Sequence, residues 1–174
     1  MSELEKEWEL ALAQAQERAR ATGRRDIADY LNLRRRNDLL RRTATEWFMN
    51  FFVVMAGEAN RSGAGIQIEQ HDEHQFRRGN ATMVGRRIVL RRGVRALTIE
   101  SGWPRAPQHG FVSGGGLACA NIKHFGRPRS NVELLLSHAK NGAPRWLMID
   151  RLGHSSALTE ENLRGQFRKL LSDD

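Results

Sequence analysis

From Tyr30 to Val54 the residues Tyr30, Leu33, Asn37, Leu40, Ala44, Trp47, Phe51 and Val54 fall at alternating steps of three and four. This is the heptad spacing of a helical seam, and beyond Gly57 it gives way to polarity that alternates residue by residue. A chain patterned in this order builds helices first and a sheet second, which argues for an α+β fold over alternating βαβ units.

The seam has a helix in front of it. Ser2 followed by Glu5 has capping-box spacing, and Leu4, Trp8, Ala11 or Leu12, Ala15 and Ala19 form a narrow apolar stripe ended by Thr22-Gly23. A second, long helix is expected from an N-cap near Asp26, with nothing to break it before Gly57. If the two fold back on each other, Glu3, Glu5 and Glu7 come beside Arg41 and Arg42. The Arg34-Arg35-Arg36 and Arg41-Arg42 runs then read as the basic half of a self-neutralised helical hairpin rather than as a DNA-binding helix. Asn37 at an inward seam position can fix register and partner number, so Asn37, Leu40, Trp47 and Phe51 are a candidate partner or homodimer interface. From Trp47 to Met55 every side is apolar, which predicts burial in the remainder of the protein.

Residues 61–174 read as an antiparallel sheet of about five to seven strands with a short C-terminal helix, continuous with the 1–60 hairpin. Ile66 and Ile68 alternate with polar neighbours, strands flank Arg92-Gly93, and Leu117 to Phe125 is a further strand. Asn141-Gly142 is a type I′ hairpin signal; a two-residue loop there pairs Leu136 with Leu147, Leu134 with Ile149, Leu135 with Met148 and Ser137 with Trp146. The same register at Arg92-Gly93 puts Ile88, Leu90, Leu97 and Ile99 on one face, and Arg87, Val89 and Arg91 with Val94, Ala96 and Thr98 on the other. Thr159 caps the last helix, whose apolar face is Leu163, Phe167, Leu170 and Leu171.

Charge carries the functional reading. The net charge is +8, and all of the excess lies in residues 61–130, since the flanking blocks are each neutral. Between Glu73 and Glu100 there is no acid, while Arg77, Arg78, Arg86, Arg87, Arg91, Arg92 and Arg95 occur there. With Trp103, Arg105 and Arg127 they form a candidate nucleic-acid or anion-binding set, in which aromatics stack bases and cations neutralise phosphates. The competing reading places Trp103 and Phe125 in the core and the arginines in solvated loops. Arg makes up 24 of the 28 basic residues, so its use in this window does not itself signal phosphate recognition.

Other motifs are weaker. His71 and His74 stand in a run of carboxylates, yet on a straight strand they point to opposite faces and no third ligand has a defined spacing. The run therefore reads as a polar turn, and no metal or cofactor is expected; His109 and His124 would be the third ligands to consider. Ser113-Gly114-Gly115-Gly116 lacks the lysine of a phosphate loop. Cys119 reads as a small buried hydrophobe, and as a lone cysteine it excludes a disulfide framework or CxxC zinc site. The stretch Trp47 to Ala56 is about half the length of a membrane-spanning helix, and the acidic, amphipathic start is unlike a signal peptide. The sequence thus points to a cytoplasmic, non-enzymatic binding protein with a basic β-face. The alternatives are an assembly protein using the 30–54 helix, and a small-ligand or metal-dependent enzyme with a sheet–helix cavity holding His71, His74 or His124.

Overall fold

A computed structural model describes residues 2–22 and 28–173. The element order is α1 (Glu3–Thr22), α2 (Ala28–Arg61), β1 (Gln67–Arg78), β2 (Ala81–Arg92), β3 (Arg95–Trp103), β4 (Ala118–His124), β5 (Val132–His138), β6 (Pro144–Ile149), β7 (Ser155–Ala157) and α3 (Glu160–Leu171). The seven strands form one antiparallel meander in sequence order, so the fold is α+β as the sequence predicts.

The Ser2 cap of α1 is reciprocal: Glu5 N donates to Ser2 Oγ at 3.2 Å, and Ser2 N donates to Glu5 Oε2 at 2.7 Å. The expected Gly23 stop and Asp26 cap lie outside the described residues. Helix α2 runs through Gly57 and ends four residues later. There Asn60 closes the link to β1 by bonding both backbone groups of Ile66.

The heptad seam does not persist as one stripe. The buried line on α2 is Leu40, Ala44, Phe48, Phe52 and Ala56, whereas Leu33 and Val54 are exposed and Trp47 and Phe51 half-buried. At 3.6 residues per turn each step of four advances about 40° around the helix, so the buried line winds across α2 and parts from the heptad seam, which drifts only about 20° per seven residues the other way. Leu40 is thereby enclosed in the chain's own core.

All three helices cover the same sheet face. One core joins Leu4 and Trp8 of α1 and the α2 line to Ile88, Leu90, Leu97, Ile99, Ile122, Leu134, Leu136 and Trp146, with Leu163, Phe167 and Leu170 of α3. Thr159 and Asn162 make a reciprocal cap on α3. On the opposite face a smaller cluster, Phe76, Ala81, Met83, Cys119 and Leu135, is packed by Val112 from the loop between β3 and β4.

Two turns differ from the predicted registers. At the β5–β6 connection Gly142 takes a positive φ of 79°, Gly142 N donates to Ala139 O at 2.9 Å, and Ala139 N donates to Ala143 O at 2.8 Å. This is a three-residue loop with a glycine bulge instead of a two-residue type I′ turn. The extra residue slips the pairing by one, so Leu136 faces Trp146, Leu135 faces Leu147, Leu134 faces Met148 and Ser137 faces Arg145. At β2–β3 the loop is Gly93-Val94, and Arg92 pairs with Arg95. Ile88 then meets Ile99 and Leu90 meets Leu97, a shift of two that keeps every expected strand residue on its face while moving Val94 into the turn.

The Glu69–His74 run is strand, not a polar turn. It lies within β1, with a register shift between His71 and His74 and Glu73 at φ 54°.

Candidate anion-binding site

Strand alternation divides the arginine window. Arg86, Arg92 and Arg95 project on the helix-bearing face, while Arg78, Arg87 and Arg91 project on the other. Most of them are engaged. Arg86 Nε donates to Asp72 Oδ1 at 3.0 Å and its Nη2 to Gln70 Oε1 at 2.8 Å; Arg91 Nε donates to Glu69 Oε1 at 3.0 Å. Arg78 Nη1 donates to Leu134 O at 2.9 Å, and Arg77 Nη2 to Asn80 O at 3.3 Å at the hairpin tip. Arg92 donates to Leu171 O at 2.8 Å and Arg95 to Ser172 Oγ at 3.5 Å, so both hold the C-terminal end of α3, where unpaired carbonyls favour cations. Arg127 precedes a short 3₁₀ turn between β4 and β5.

A convergence forms instead beyond β3. The Trp103 ring is buried, and the Arg105 guanidinium carbon lies 3.5 Å from its centroid. Arg105 is pinned at both ends: its backbone N donates to His109 Nδ1 at 3.1 Å and its Nε to Val84 O at 3.3 Å. Burial, with Arg42 and Arg41 of α2 close by, draws its ionisation below the ordinary range, and Asp38 opposes them. Beside it opens a cleft of about 480 Å³ lined by Glu73, Gln75, Val84, Gly85, Arg86 and Arg105. Strand β2 thus brings one window arginine next to a loop arginine and two from α2. The sequence signal was Trp103-Pro104-Arg105; the part played by Arg41 and Arg42 was hidden by their distance along the chain.

Arg42 meets the acidic side of α1 as the folded-back hairpin predicts, whereas Arg41 is held elsewhere. Arg41 donates to Leu117 O at 2.8 Å and Asp38 Oδ1 at 3.0 Å, tying α2 to the start of β4. Arg42 lines a different groove with Glu3 and Glu7.

The opposite sheet face carries a row of directly paired residues across five strands: His71, Arg87, Glu100, Asn121 and Glu133. Glu100 is buried and accepts from His74 Nε2 at 2.9 Å, Asn121 Nδ2 at 2.9 Å and Lys123 Nζ at 2.5 Å. Burial alone would raise its pKa; the bonds from Lys123, His74 and Asn121 overcome this and hold the carboxyl below its ordinary range. The β1 bulge puts His71 and His74 on this one face, opposite Arg87 and Gly85, where a straight strand would separate them. His74 is spent on Glu100, and among the described residues no three His, Cys, Asp or Glu converge in a way that holds a metal ion. The buried Nε of Arg87 has no hydrogen-bond partner among the described residues.

Of the histidines assigned to a sheet–helix cavity, His124 alone lies between sheet and α3, where its Nε2 contacts Gln166 Oε1 at 2.7 Å. Cys119 is buried, which pushes its thiol upward, away from nucleophilic character. The partner-interface residues Trp47 and Phe51 line a groove of about 650 Å³ between α1 and α2, with Arg164 of α3 over Phe51; Asn37 is half-buried outside it. Phe125, paired with the arginines at 127 and 129 in the sequence, is exposed. No helix among the described residues is long and apolar enough to cross a membrane. No family model, curated protein or solved structure matches the chain.

Proposed function

We propose that the protein is a non-enzymatic cytoplasmic binding protein for polyanions, nucleic acid foremost, which take up position along the cleft beside Arg105. The observation that supports this reading is the Arg105 guanidinium held 3.5 Å over Trp103 at the edge of a cleft, with Arg42 and Arg41 of α2 near enough to add to its field. Like charges held together repel, and a phosphate backbone relieves that repulsion while releasing its own counterions. Arg86, supplied by the 77–95 window, lines the same cleft, with its charge offset by the ion pair to Asp72.

A second location is favoured by Arg87, whose unfilled Nε and outward neighbour Arg91 would serve an anion on the opposite sheet face. Affinity for a labelled single-stranded oligonucleotide, measured against salt, separates the two. Reversal of Arg42 and Arg105 together to Glu is expected to weaken binding more than tenfold and flatten the salt slope. Reversal of Arg87 and Arg91 together is expected to leave binding within a few fold; the opposite result moves the site to the other face. Full binding in both double variants, or no binding by the wild type, overturns the polyanion reading.

Assembly through the helical front end has one observation of its own: Leu10 and Val54 are exposed on the rim of the groove that Trp47 and Phe51 floor. Light scattering over a concentration series, on the wild type and on Asn37→Leu, tests self-association. A monomer throughout in both retires it.

A further inference from the structure

We propose that Arg105 is a stacking platform for a nucleobase, so that the polyanion held at the cleft is single-stranded nucleic acid. The inference rests on the polyanion reading above and adds the class of ligand to it.

Trp103 itself has no part to play as a base stacker, because it is buried and its ring carries the Arg105 guanidinium. What it does is present that guanidinium. At 3.5 Å from the ring centroid the group sits at stacking distance, and the Val84 carbonyl and His109 ring fix the residue from either side. Arg105 as a whole is exposed, and none of the carboxylates among the described residues forms an ion pair with it. A planar, delocalised cation, fixed against Trp103 on one face in a residue that is exposed as a whole, matches the π-face of a base, which stacks on guanidinium planes as it does on aromatic rings. Lys would supply the charge without the plane.

The neighbouring cleft suits such a ligand. Its volume of about 480 Å³ falls in the range of small-ligand pockets, and Gly85 contributes no side chain to its wall. Gln75 offers both a donor and acceptors to a base edge. Arg42 lines the neighbouring α1–α2 groove and is near enough to Arg105 for its charge to be felt there, so it serves a phosphate as a source of field, not as a contact of the cleft. A duplex cannot use the platform, since its bases are stacked on one another; a polyphosphate has no ring to place there. The geometry therefore discriminates among polyanions as well as attracting them.

The test compares a 12-nucleotide single strand, its duplex and inorganic polyphosphate as probes, by anisotropy or competition, on the wild type, Arg105→Lys and Arg42→Gln. The wild type is expected to favour the single strand over the duplex. Arg105→Lys is expected to lose about tenfold for the single strand, the scale of one lost base stack, while its polyphosphate affinity stays within about twofold. Arg42→Gln is expected to weaken both probes in parallel, as loss of a charge does. Thermal melts of both variants establish that they are folded; if Arg105→Lys is not, Arg105→Gln, which keeps a planar group without the charge, is used with the reverse expectation, a larger loss for polyphosphate than for the single strand. Equal single-strand affinity in wild type and Arg105→Lys, or equal losses for both probes, overturns the stacking platform while leaving polyanion binding in place. Absence of wild-type binding to all three probes overturns both.

Discussion

The indole Nε1 of Trp146 donates to the carbonyl of Ala44 at 3.2 Å, joining β6 to the middle of α2 across 102 residues of sequence. Trp146 is buried and its ring lies 5.3 Å from that of Phe48, so the contact combines a hydrogen bond with aromatic packing. Trp146→Phe keeps most of the packing and removes the bond, and is expected to lower unfolding free energy by about 1 kcal/mol. Trp146→Ala also opens a cavity and is expected to cost about 3–5 kcal/mol. Urea denaturation of the two variants separates the contributions; equal losses would show that the bond, not the ring, holds helix to sheet.

Glu100 sets an acid limb on stability. Its folded-state pKa is depressed below that of the unfolded chain, so its contribution is complete above the ordinary glutamate range and is lost as pH falls through the folded value. Glu100→Gln removes the charge that Lys123, His74 and Asn121 converge on. It is expected to cost about 2 kcal/mol at neutral pH, the scale of a bond to a charged group, and to shrink in effect as pH falls below about 4. Chemical denaturation at a series of pH values checks this, and a constant difference across the series would contradict it.

His124 acts in a different pH window. Burial lowers its pKa, the bond to Gln166 opposes this, and the positive charges of Lys169 and Arg127 lower it further. The unfolded chain therefore binds the proton first, and stability is lost as pH falls below about 6.5, continuing until the folded-state value is passed. His124→Gln keeps an amide able to reach Gln166 and does not titrate. Its stability is expected to change less than the wild type's between pH 7 and pH 5, with the difference seen first in hydrogen exchange of α3.

The sequence exposed local chemistry well and long-range chemistry poorly, for reasons visible in particular residues. The Ser2 and Thr159 caps depend on neighbours three positions away and stand as predicted. The faces of Ile88, Leu90, Leu97 and Ile99 were legible because an even register shift preserves alternation. At Asn141-Gly142 the hairpin was legible but its register was not, since one glycine serves a type I′ turn or a bulged loop and the difference of one residue exchanges faces. Glu100 escaped notice because its partners His74, Asn121 and Lys123 come from two other strands. Alternation already set Arg87 and Arg91 on one face, but the candidate binding set pooled them with Arg86, which lies on the other side of the sheet.

Two glycines in that sheet and one in α2 respond to the same substitution in opposite ways. A Cβ on Gly85 would stand 1.9 Å from Ser101 O and 2.6 Å from Gly102 Cα, and one on Gly102 would stand 2.6 Å from Val84 O. Every obstacle is backbone of the paired strand, so neither site can relax by rotating a side chain. Gly85→Ala and Gly102→Ala are each expected to destabilise by about 3 kcal/mol or more, or to prevent folding. Gly57, in contrast, has nothing within 4 Å of its added Cβ and lies inside a helix. Gly57→Ala is expected to stabilise by about 0.5–1 kcal/mol, through helix propensity and the reduced freedom of the unfolded chain. Thermal denaturation of the three single variants checks the ordering. A tolerated alanine at position 85 would mean that β2 and β3 are not in close backbone contact there.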